Sequence, residues 1–266
     1  MTHARIGRRT HATTGCFRYL AAALALACAM PAMADDPAPS FDRPGFGFAS
    51  SVLPAGTFDW EQGLPDMERD SGGGAHSTFY TADTEVRLGI GSNLELQLHT
   101  SPWNELDVHA FGLRASTSGA GDTALGVKWA PSLSDKDWTL ALLGQVSLDT
   151  GSADFTAGHS VTTLALQAAR DLGGGHTLAF NGTVNHGGGA TTWSAATNFG
   201  FPVQGNLSGY VQVGHFGGDG INSTLAGAGL VWLVANRVQF DLGANAGLSN
   251  RSPDYQAGFG VSVFFK

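Results

Sequence analysis

Residues 238–249, VQFDLGANAGLS, and residues 254–265, DYQAGFGVSVFF, alternate apolar with polar or small side chains along their length. A period of two is typical of β-strands whose two faces meet different surroundings. The turn Asn250-Arg251-Ser252-Pro253-Asp254 separates the two segments, which predicts an antiparallel hairpin. Its apolar face could cover a soluble core. In an exported chain it could instead face lipid while the polar face lines a lumen.

The N-terminus has the layout of a secretory signal peptide. Four arginines accompany an apolar stretch from Tyr19 to Met30, and Ala32-Met33-Ala34 forms a small-x-small cleavage site. The apolar stretch is too short for a membrane-spanning helix. We therefore predict a signal peptide over residues 1–34. The alternatives are an uncleaved anchor and lipoprotein processing at Cys28, although the residue three positions before Cys28 is not leucine.

Cleavage after Ala34 changes the composition of the chain. It removes both cysteines, so no disulfide, zinc cluster or cysteine nucleophile is expected in the mature protein. It also removes four of the 14 Lys and Arg residues and none of the 22 Asp and Glu residues, leaving a net charge of about −12. This charge disfavours a nucleic-acid partner. No later stretch is long and apolar enough for a spanning helix, which favours a bacterial outer-membrane barrel.

Twelve segments are candidate strands of such a barrel, and many approach the 9–11 residues that a tilted membrane strand needs. They are Thr57–Gly63, Phe79–Ile90, Asn93–His99, Asp122–Ala130, Trp138–Asp149, Val161–Ala169, His176–His186, Thr192–Phe201, Leu207–His215, Ser223–Val234, Val238–Leu248 and Asp254–Phe265. We predict an all-β, transmembrane, antiparallel up-and-down β-barrel of about 12 strands over residues 56–266. Residues 35–55 are predicted to form an N-terminal periplasmic segment.

The lengths of the connections support this prediction. Leu64–Ser77, Thr100–Gly121 and Thr150–Ser160 are predicted as long external loops that alternate with shorter periplasmic turns. Outer-membrane barrels alternate in this way, whereas soluble sandwiches have no reason to do so. The sequence leaves open whether Thr100–Gly121 enters the lumen.

The two faces of the predicted strands differ in charge. One parity carries no charge, as a lipid-facing surface requires, since Arg or Lys at midplane costs about 2–4 kcal/mol. The other parity is predicted to line the lumen, with its charged members pairing across neighbouring strands. The candidate lumen-lining residues are Glu85, Arg87, Glu95, Gln97, Lys128, Gln145, Asp149, Asn181, Gln239, Asp241 and Asn245. Small residues on this parity, among them Gly243, Gly258 and Gly260, predict an unfilled lumen. The faces of Ser223–Val234 cannot be assigned.

No catalytic, cofactor or metal site is predicted. The nine histidines lack the spacing of metal ligands. His99 and Ser101 form a His-x-Ser pair like that of outer-membrane phospholipases and lipid deacylases. Such a pair must face lipid, whereas His99 shares the predicted lumen parity. An outer-membrane esterase and a non-conducting structural or adhesive barrel stay as alternative functions.

Several short motifs resemble one known family. Asp42-Arg43-Pro44-Gly45-Phe46 resembles its mature N-terminus, Gly121-Asp122 with Gly126-x-Lys128 its internal motif, and Asp241-x-Gly243 its closing hairpin. The chain thus resembles the "putative MetA-pathway of phenol degradation" family of outer-membrane transporter-like proteins. Asp149 departs from the family pattern, in which proline is usual. The resemblance implies a barrel that moves small, often aromatic or hydrophobic, compounds, and it implies no established catalytic residue.

We therefore predict a monomeric, non-enzymatic channel in the bacterial outer membrane for passive movement of small molecules. Its expected partners are outer-membrane lipid, the small-molecule permeant and the barrel-assembly machinery, which reads a C-terminal strand ending here in Phe265. Lys266 then forms a short overhang. The negative net charge predicts mild discrimination against anions.

The signal-peptide prediction can be tested on protein isolated from outer membranes. Intact-mass measurement and N-terminal sequencing should give a chain that begins at Asp35. A chain that begins at a lipidated Cys28, or at the initiator methionine, would contradict cleavage after Ala34.

Overall fold

The structure, a computed structural model, describes residues 40–234 and 236–266. The predicted signal peptide and both cysteines lie outside these residues. Within the described ranges the chain forms sixteen β-strands, which are β1 Phe58–Gly63, β2 Asp66–Gly72, β3 Ala75–Thr81, β4 Thr84–Gly89, β5 Leu94–Thr100, β6 Asn104–Ala110, β7 Leu113–Gly119, β8 Thr123–Trp129, β9 Trp138–Leu148, β10 Val161–Gly173, β11 His176–Gly187, β12 Ala190–Gln204, β13 Leu207–Gly218, β14 Ile221–Leu233, β15 Val238–Gly247 and β16 Tyr255–Phe265. A search of the same residues finds no helix of the length and apolarity needed to cross a membrane.

Twelve of these strands form a closed antiparallel barrel. In the described part of the chain the ring runs β1, β4, β5 and then β8 to β16, and β1 pairs with β16 to close it. At this seam Phe58 to Gly63 lie opposite Phe265 to Gly260. Closure pairs the strand edges, which the hydrocarbon of a membrane requires. The prediction of an all-β antiparallel barrel with about 12 strands is confirmed.

The other four strands continue the wall beyond the barrel. β2, β3, β6 and β7 are continuous with β1, β4, β5 and β8 and pair with one another as an external sheet. The predicted long loops Leu64–Ser77 and Thr100–Gly121 are therefore wrong. Both segments are hairpins that turn at Gly73-Gly74 and Phe111-Gly112, where all four residues have the positive φ that tight hairpin turns need. Polar residues lie on both parities of β2 and β7, so these strands lack the apolar alternation on which the prediction relied, whereas β6 has it at Leu106, Val108 and Ala110.

Four breaks separate the external sheet from the barrel. They fall in neighbouring strands, at residues 64–65, 82–83, 101–103 and 120–122. Hydrogen bonds cross this level, since the backbone N–H of Gly63 donates to the carbonyl of Asp83 (2.8 Å) and that of Gly121 donates to the carbonyl of Ser101 (2.8 Å). The wall therefore stays hydrogen-bonded where its strands are interrupted.

The exposure of the side chains is the reverse of that in a soluble protein. Leu164 and Leu242 point outward and are 64% and 50% exposed, whereas Arg87 and Lys128 point inward and are 0% exposed. Charged residues are almost never fully buried unless they are paired. An apolar exterior around a charged interior is the arrangement of a barrel whose outer face meets lipid.

The faces of β14, which the sequence left unassigned, follow the same rule. Leu230 and Trp232 are exposed on the outer face, whereas Leu225 is buried. Gly229 lies on the inner parity, where an added Cβ would clash with the ring of Tyr210. A neighbouring ring therefore occupies the space that this strand leaves free.

The last residues of the chain lie at the seam. The ring of Phe265 stacks on that of Phe58, with centroids 4.5 Å apart. Phe58 is exposed on the outer face, so the pair stands where aromatic rings meet the membrane interface. The outward position predicted for Phe265 agrees with the structure. Its recognition by the assembly machinery stays a prediction.

One external connection, residues 149–160, contains no strand and is organised by Asp122. The Asp122 carboxylate accepts hydrogen bonds from the backbone N–H groups of Thr150 (3.0 Å), Gly151 (2.8 Å) and Ala157 (2.9 Å). Burial opposes ionisation of Asp122, but these N–H donors outweigh it and hold the pKa of the carboxyl below its usual value. Gly151 also lies too close to the backbone of Gly121 for a side chain to fit. The Gly121-Asp122 motif therefore shapes this connection.

We expect Asp122→Ala to release the connection without opening the barrel. Loss of the three charge-assisted hydrogen bonds should cost about 2 kcal/mol of local stability, which corresponds to amide exchange roughly 30-fold faster at residues 150–157. Hydrogen exchange with mass spectrometry measures this. Asp149→Ala, which removes a carboxylate bonded only to the hydroxyl of Thr156, serves as the control. Equal exchange in the two variants would contradict the assignment.

Candidate functional site in the barrel lumen

The residues before β1 enter the barrel. Asp42 accepts hydrogen bonds from Nζ of Lys128 on β8 (2.8 and 3.1 Å). The backbone N–H of Phe46 donates to Oε1 of Gln212 on β13 (3.1 Å), and that of Leu53 donates to Oε2 of Glu95 on β5 (2.9 Å). These partners face the lumen from separate strands. Residues 41–54, here called the inner segment, therefore lie inside the barrel, whereas the sequence predicts a periplasmic segment over residues 35–55, of which 35–39 lie outside the described residues.

Small residues on the inner face make room for this segment. A Cβ at Gly214 would lie 2.9 Å from the ring of Phe46, and one at Gly260 would meet the guanidinium of Arg43. At Gly89 a Cβ would meet the backbone of Leu53 and Pro54. The expectation that small residues leave the lumen unfilled is therefore wrong at Gly260, where the inner segment occupies the space, whereas Gly243 and Gly258 border a cavity.

A cluster of buried charges surrounds Arg87. Its Nε and Nη2 donate to the carboxylate of Glu95 (2.8 and 3.1 Å). Its Nη1 donates to Asp59 (3.0 Å) and Glu61 (3.2 Å) on β1. These four side chains are 0% exposed. A buried cation is tolerated only with such complete pairing.

Asp42 joins the inner segment to this cluster. Lys128, which also contacts Glu95 (2.8 Å), holds one side of the Asp42 carboxylate, and Nη1 of Arg87 lies 3.3 Å away. Burial alone would raise the pKa of Asp42, but Arg87 and Lys128 outweigh it and lower the pKa to about 2. The carboxylate also accepts the backbone N–H of Ala49 (2.9 Å), which closes a turn in the segment. Asp42 therefore binds the wall and folds the segment at once.

Glu61 holds the backbone of the same segment. Its two oxygens accept the N–H groups of Asp42 and Arg43, both at 2.8 Å. Ser262 on β16 donates to the same carboxylate (3.2 Å). The first and last strands of the barrel thus meet the inner segment through one side chain.

Arg43 forms a second attachment of the inner segment. Its Nη1 and Nη2 donate to the two oxygens of Asp66 (2.8 and 3.1 Å), and Nη2 also contacts Asp241 (3.3 Å). A bidentate guanidinium–carboxylate pair fixes orientation as well as distance. Asp66 and Asp241 come from β2 and β15, so Arg43 spans the strands on either side of β16.

Two cavities border the inner segment. One has a volume of about 340 Å³ and is lined by Arg43, Phe46, Asp66, Glu68, Phe79, Asp83, Tyr210, Gln212, Asp241 and Gln256, among others. The second, of about 290 Å³, is lined by Ser50, Ser51 and Val52 together with the connection between β8 and β9. We call them the external and the periplasmic cavity, after the ends of the barrel that they face. The inner segment borders both.

The predicted lumen-lining residues take several positions. Glu85, Arg87, Glu95, Gln97, Lys128, Asn181, Gln239 and Asp241 are buried in the interior, whereas Gln145 and Asn245 are half-buried there. Asp149 lies exposed beyond the end of β9, where it bonds Thr156 of the external connection. The structure brings Arg87, Glu95 and Lys128 into one cluster, with Asp241 in the Arg43 group instead.

Sequence reasoning missed Asp42, Arg43 and Phe46 as interior residues. They precede the first strand, so no alternation marks them. Their one signal was an indirect one, because a barrel with Arg87 and Lys128 inside needs nearby carboxylates. An acidic residue just before β1 is close enough to supply one.

The His-x-Ser pair does not form a lipid-facing site. His99 lies 3.2 Å from Oε1 of Glu85 and 3.3 Å from Oε1 of Gln97, both in the interior. Oγ of Ser101 accepts a hydrogen bond from Asn104 (3.0 Å). Over residues 40–234 and 236–266 no group of three or more metal-ligating side chains is present.

Comparisons with known proteins agree with this architecture. The sequence family described as "Putative MetA-pathway of phenol degradation" matches residues 41–265. The COG4313 outer membrane channel from Pseudomonas putida F1 aligns with a TM-score of 0.69 and 14% identity, covering 84% of this chain and 99% of that one. The β domain of the Bordetella autotransporter BrkA aligns with a TM-score of 0.53 and 10% identity, over 78% and 98% of the two chains. A search of curated proteins finds no match. At these identities the structural likeness shows the fold alone.

We expect Arg87→Ala to destabilise the barrel strongly. It leaves Asp59 and Glu61 buried without their cation, which should cost about 3–5 kcal/mol in guanidinium unfolding monitored by heat-modifiable gel mobility. Arg114→Ala, which removes an exposed partner of Asp107, should cost less than about 1 kcal/mol. If Arg87→Ala does not assemble, Arg87→Lys, which keeps the charge but not the fork of donors, replaces it. Its loss of stability should exceed that of Arg114→Ala, although the barrel should still assemble. Similar losses for Arg87→Lys and Arg114→Ala would contradict the role of Arg87.

Proposed function

The chain belongs to the family described as "Putative MetA-pathway of phenol degradation", and from this we propose that it is a passive outer-membrane channel for small molecules, aromatic and hydrophobic compounds among them. The observation that carries the proposal is the way in which the polar lumen is obstructed. The inner segment fills it, and side chains of the wall hold that segment without a strand pairing. The inner segment adds no strand to the barrel. Its displacement would therefore leave the hydrogen-bonded wall intact.

The contacts of the inner segment suit a barrier that can yield. Asp42 and Arg43 hold one end of the segment through ion pairs. Farther along, the hydroxyls of Ser50 and Thr139 lie 2.6 Å apart. A small solute would enter the external cavity, pass the segment as it shifts, and leave through the periplasmic cavity. The Pseudomonas putida protein with the same fold is described as an outer membrane channel, which supports this direction of argument.

A non-conducting barrel is the second candidate, because the same filled lumen would favour it. It differs from a channel in one measurable respect. In a non-conducting barrel other groups also seal the lumen, so loosening the inner segment should leave the conductance unchanged. The lipid-modifying enzyme has no comparable support, since His99 and Ser101 face other partners.

We expect Asp42→Ala to increase conductance. The change removes both hydrogen bonds from Lys128 and those from Gln97 and Ala49, weakening attachment of the segment by about 2–3 kcal/mol, while Arg87 keeps its wall carboxylates. Single-channel conductance in planar bilayers and swelling of arabinose-loaded liposomes should both rise above wild type. Asp107→Ala, on the external sheet, should leave them unchanged. Unchanged conductance in Asp42→Ala would favour the non-conducting barrel.

A reversible lock makes the same test sharper. The predicted mature chain has no cysteine, so Ser50→Cys/Thr139→Cys can be added to Asp42→Ala without side reactions. Oxidation should tie the segment to β9 and lower the conductance, and reduction should restore it.

The pKa of Asp42 determines the pH range over which its carboxylate attaches the segment in the wild-type protein. Because this pKa is lowered to about 2, the contribution of the carboxylate is complete above its usual value of 3.8 and lost only as the pH falls through about 2. The attachment of the segment through the Asp42 carboxylate should therefore be the same at pH 7 and pH 5.

A further inference from the structure

The external cavity has the size of a ligand site. Its volume of about 340 Å³ lies within the range of small-molecule pockets, which hold a few hundred cubic ångströms. Phe46 of the inner segment borders it, and β2, β3, β13, β15 and β16 supply its walls. A compound with a single aromatic ring fits this volume.

The lining of the external cavity has an excess of negative charge. The lining contains the cation Arg43 and four carboxylates, those of Asp66, Glu68, Asp83 and Asp241. The adjoining Asp42 is already paired with Lys128. Both Nη atoms of Arg43 are occupied by Asp66 and Asp241. The guanidinium therefore offers an incoming anion only its Nε, which is buried without a hydrogen-bond partner among the described residues.

Asp241 has an acceptor that the protein does not use. The residue is 2% exposed, and its Oδ2 is buried without a hydrogen-bond partner among the described residues. A buried carboxylate oxygen without a donor is costly, and native structures rarely leave one unfilled. A donor placed in the cavity beside Asp241 would satisfy it.

Aromatic rings form the rest of the lining. Phe46, Phe79 and Tyr210 border the same space, and Phe79 stacks on Phe155 of the external connection at 6.3 Å. The faces of aromatic rings carry negative potential and attract cations. Rings combined with carboxylates thus complement an organic ammonium and disfavour a carboxylate.

We propose that the external cavity binds small aromatic ammonium compounds, with the ammonium donating to Asp241 and Glu68 and the ring lying against Phe46, Phe79 and Tyr210. The inference rests on the proposed channel function, because it names the class of solute that the same lumen admits first. Acidic residues of the external sheet, among them Asp70 and Glu105, would raise the local concentration of such cations before they enter.

Binding to the purified, detergent-solubilised protein tests the proposal. Phenethylammonium, 2-phenylethanol and 3-phenylpropanoate have similar size and differ in charge. Isothermal titration calorimetry should show phenethylammonium binding roughly ten-fold tighter than the alcohol, with the carboxylate weakest. Raising the ionic strength should weaken phenethylammonium and leave the alcohol unchanged. Equal binding of amine and alcohol, or tighter binding of the carboxylate, would overturn the proposal.

Two variants locate the site. Glu68 accepts a hydrogen bond from Nε2 of Gln256 (2.8 Å), and Glu68→Gln can keep that bond while losing the charge. It should remove most of the preference for the amine, and Phe79→Leu should weaken the amine and the alcohol together. Glu105→Gln, on the external sheet outside the lining, should change neither. A preference that survives Glu68→Gln and Phe79→Leu would place the ammonium elsewhere and overturn the assignment.

The outcome is separable from that of the channel proposal. Swelling of arabinose-loaded liposomes reports passage of a neutral solute and needs no binding at this cavity. Swelling without a preference for the amine would overturn the binding site and keep the channel. Selective binding without swelling in Asp42→Ala would keep the binding site and overturn the channel.

Discussion

The burial of charge inside a closed wall is the constraint on which the rest of this structure depends. Arg87 and Lys128 are fully buried, and removal of two cations from water is tolerated only when carboxylates surround them. Those carboxylates come from β1, from β5 and, through Asp42, from the chain before β1. The balance is reached only when β1, β4, β5 and β8 lie side by side and the inner segment is in place.

The same constraint explains how the lumen is filled. A wall with bulky inner side chains would have no room for residues 41–54, and a wall without charges would lack the partners of Asp42 and Arg43. Glycines such as Gly214 and Gly260 provide the space, and Glu61 and Asp66 provide the attachment. The segment is therefore fixed by polar contacts, whose strength depends on charge and geometry. The wall, by contrast, is held by backbone hydrogen bonds between neighbouring strands, which form whatever the side chains are.

The barrel could be predicted because lipid on one side and a polar lumen on the other impose an alternation on every spanning strand. The seam residues Phe58 and Phe265 and the buried Arg87 and Lys128 follow from that rule. The external hairpins did not, since polar residues on both parities of β2 and β7 remove the alternation there. The inner segment was missed for a different reason. Asp42 and Phe46 belong to no strand, and their positions depend on partners such as Gln212 that lie far away in sequence.

The meeting of Glu61 with both the inner segment and Ser262 of β16 has a consequence for the order of assembly. A shift of one residue at the seam would turn Asp59 and Glu61 outward into hydrocarbon and strand the segment without its holder. The inner segment, which precedes β1 in the chain, thus contacts a side chain that also contacts the last strand when the register is correct. A misregistered product would therefore be recognisable as one whose N-terminal residues stay accessible to protease.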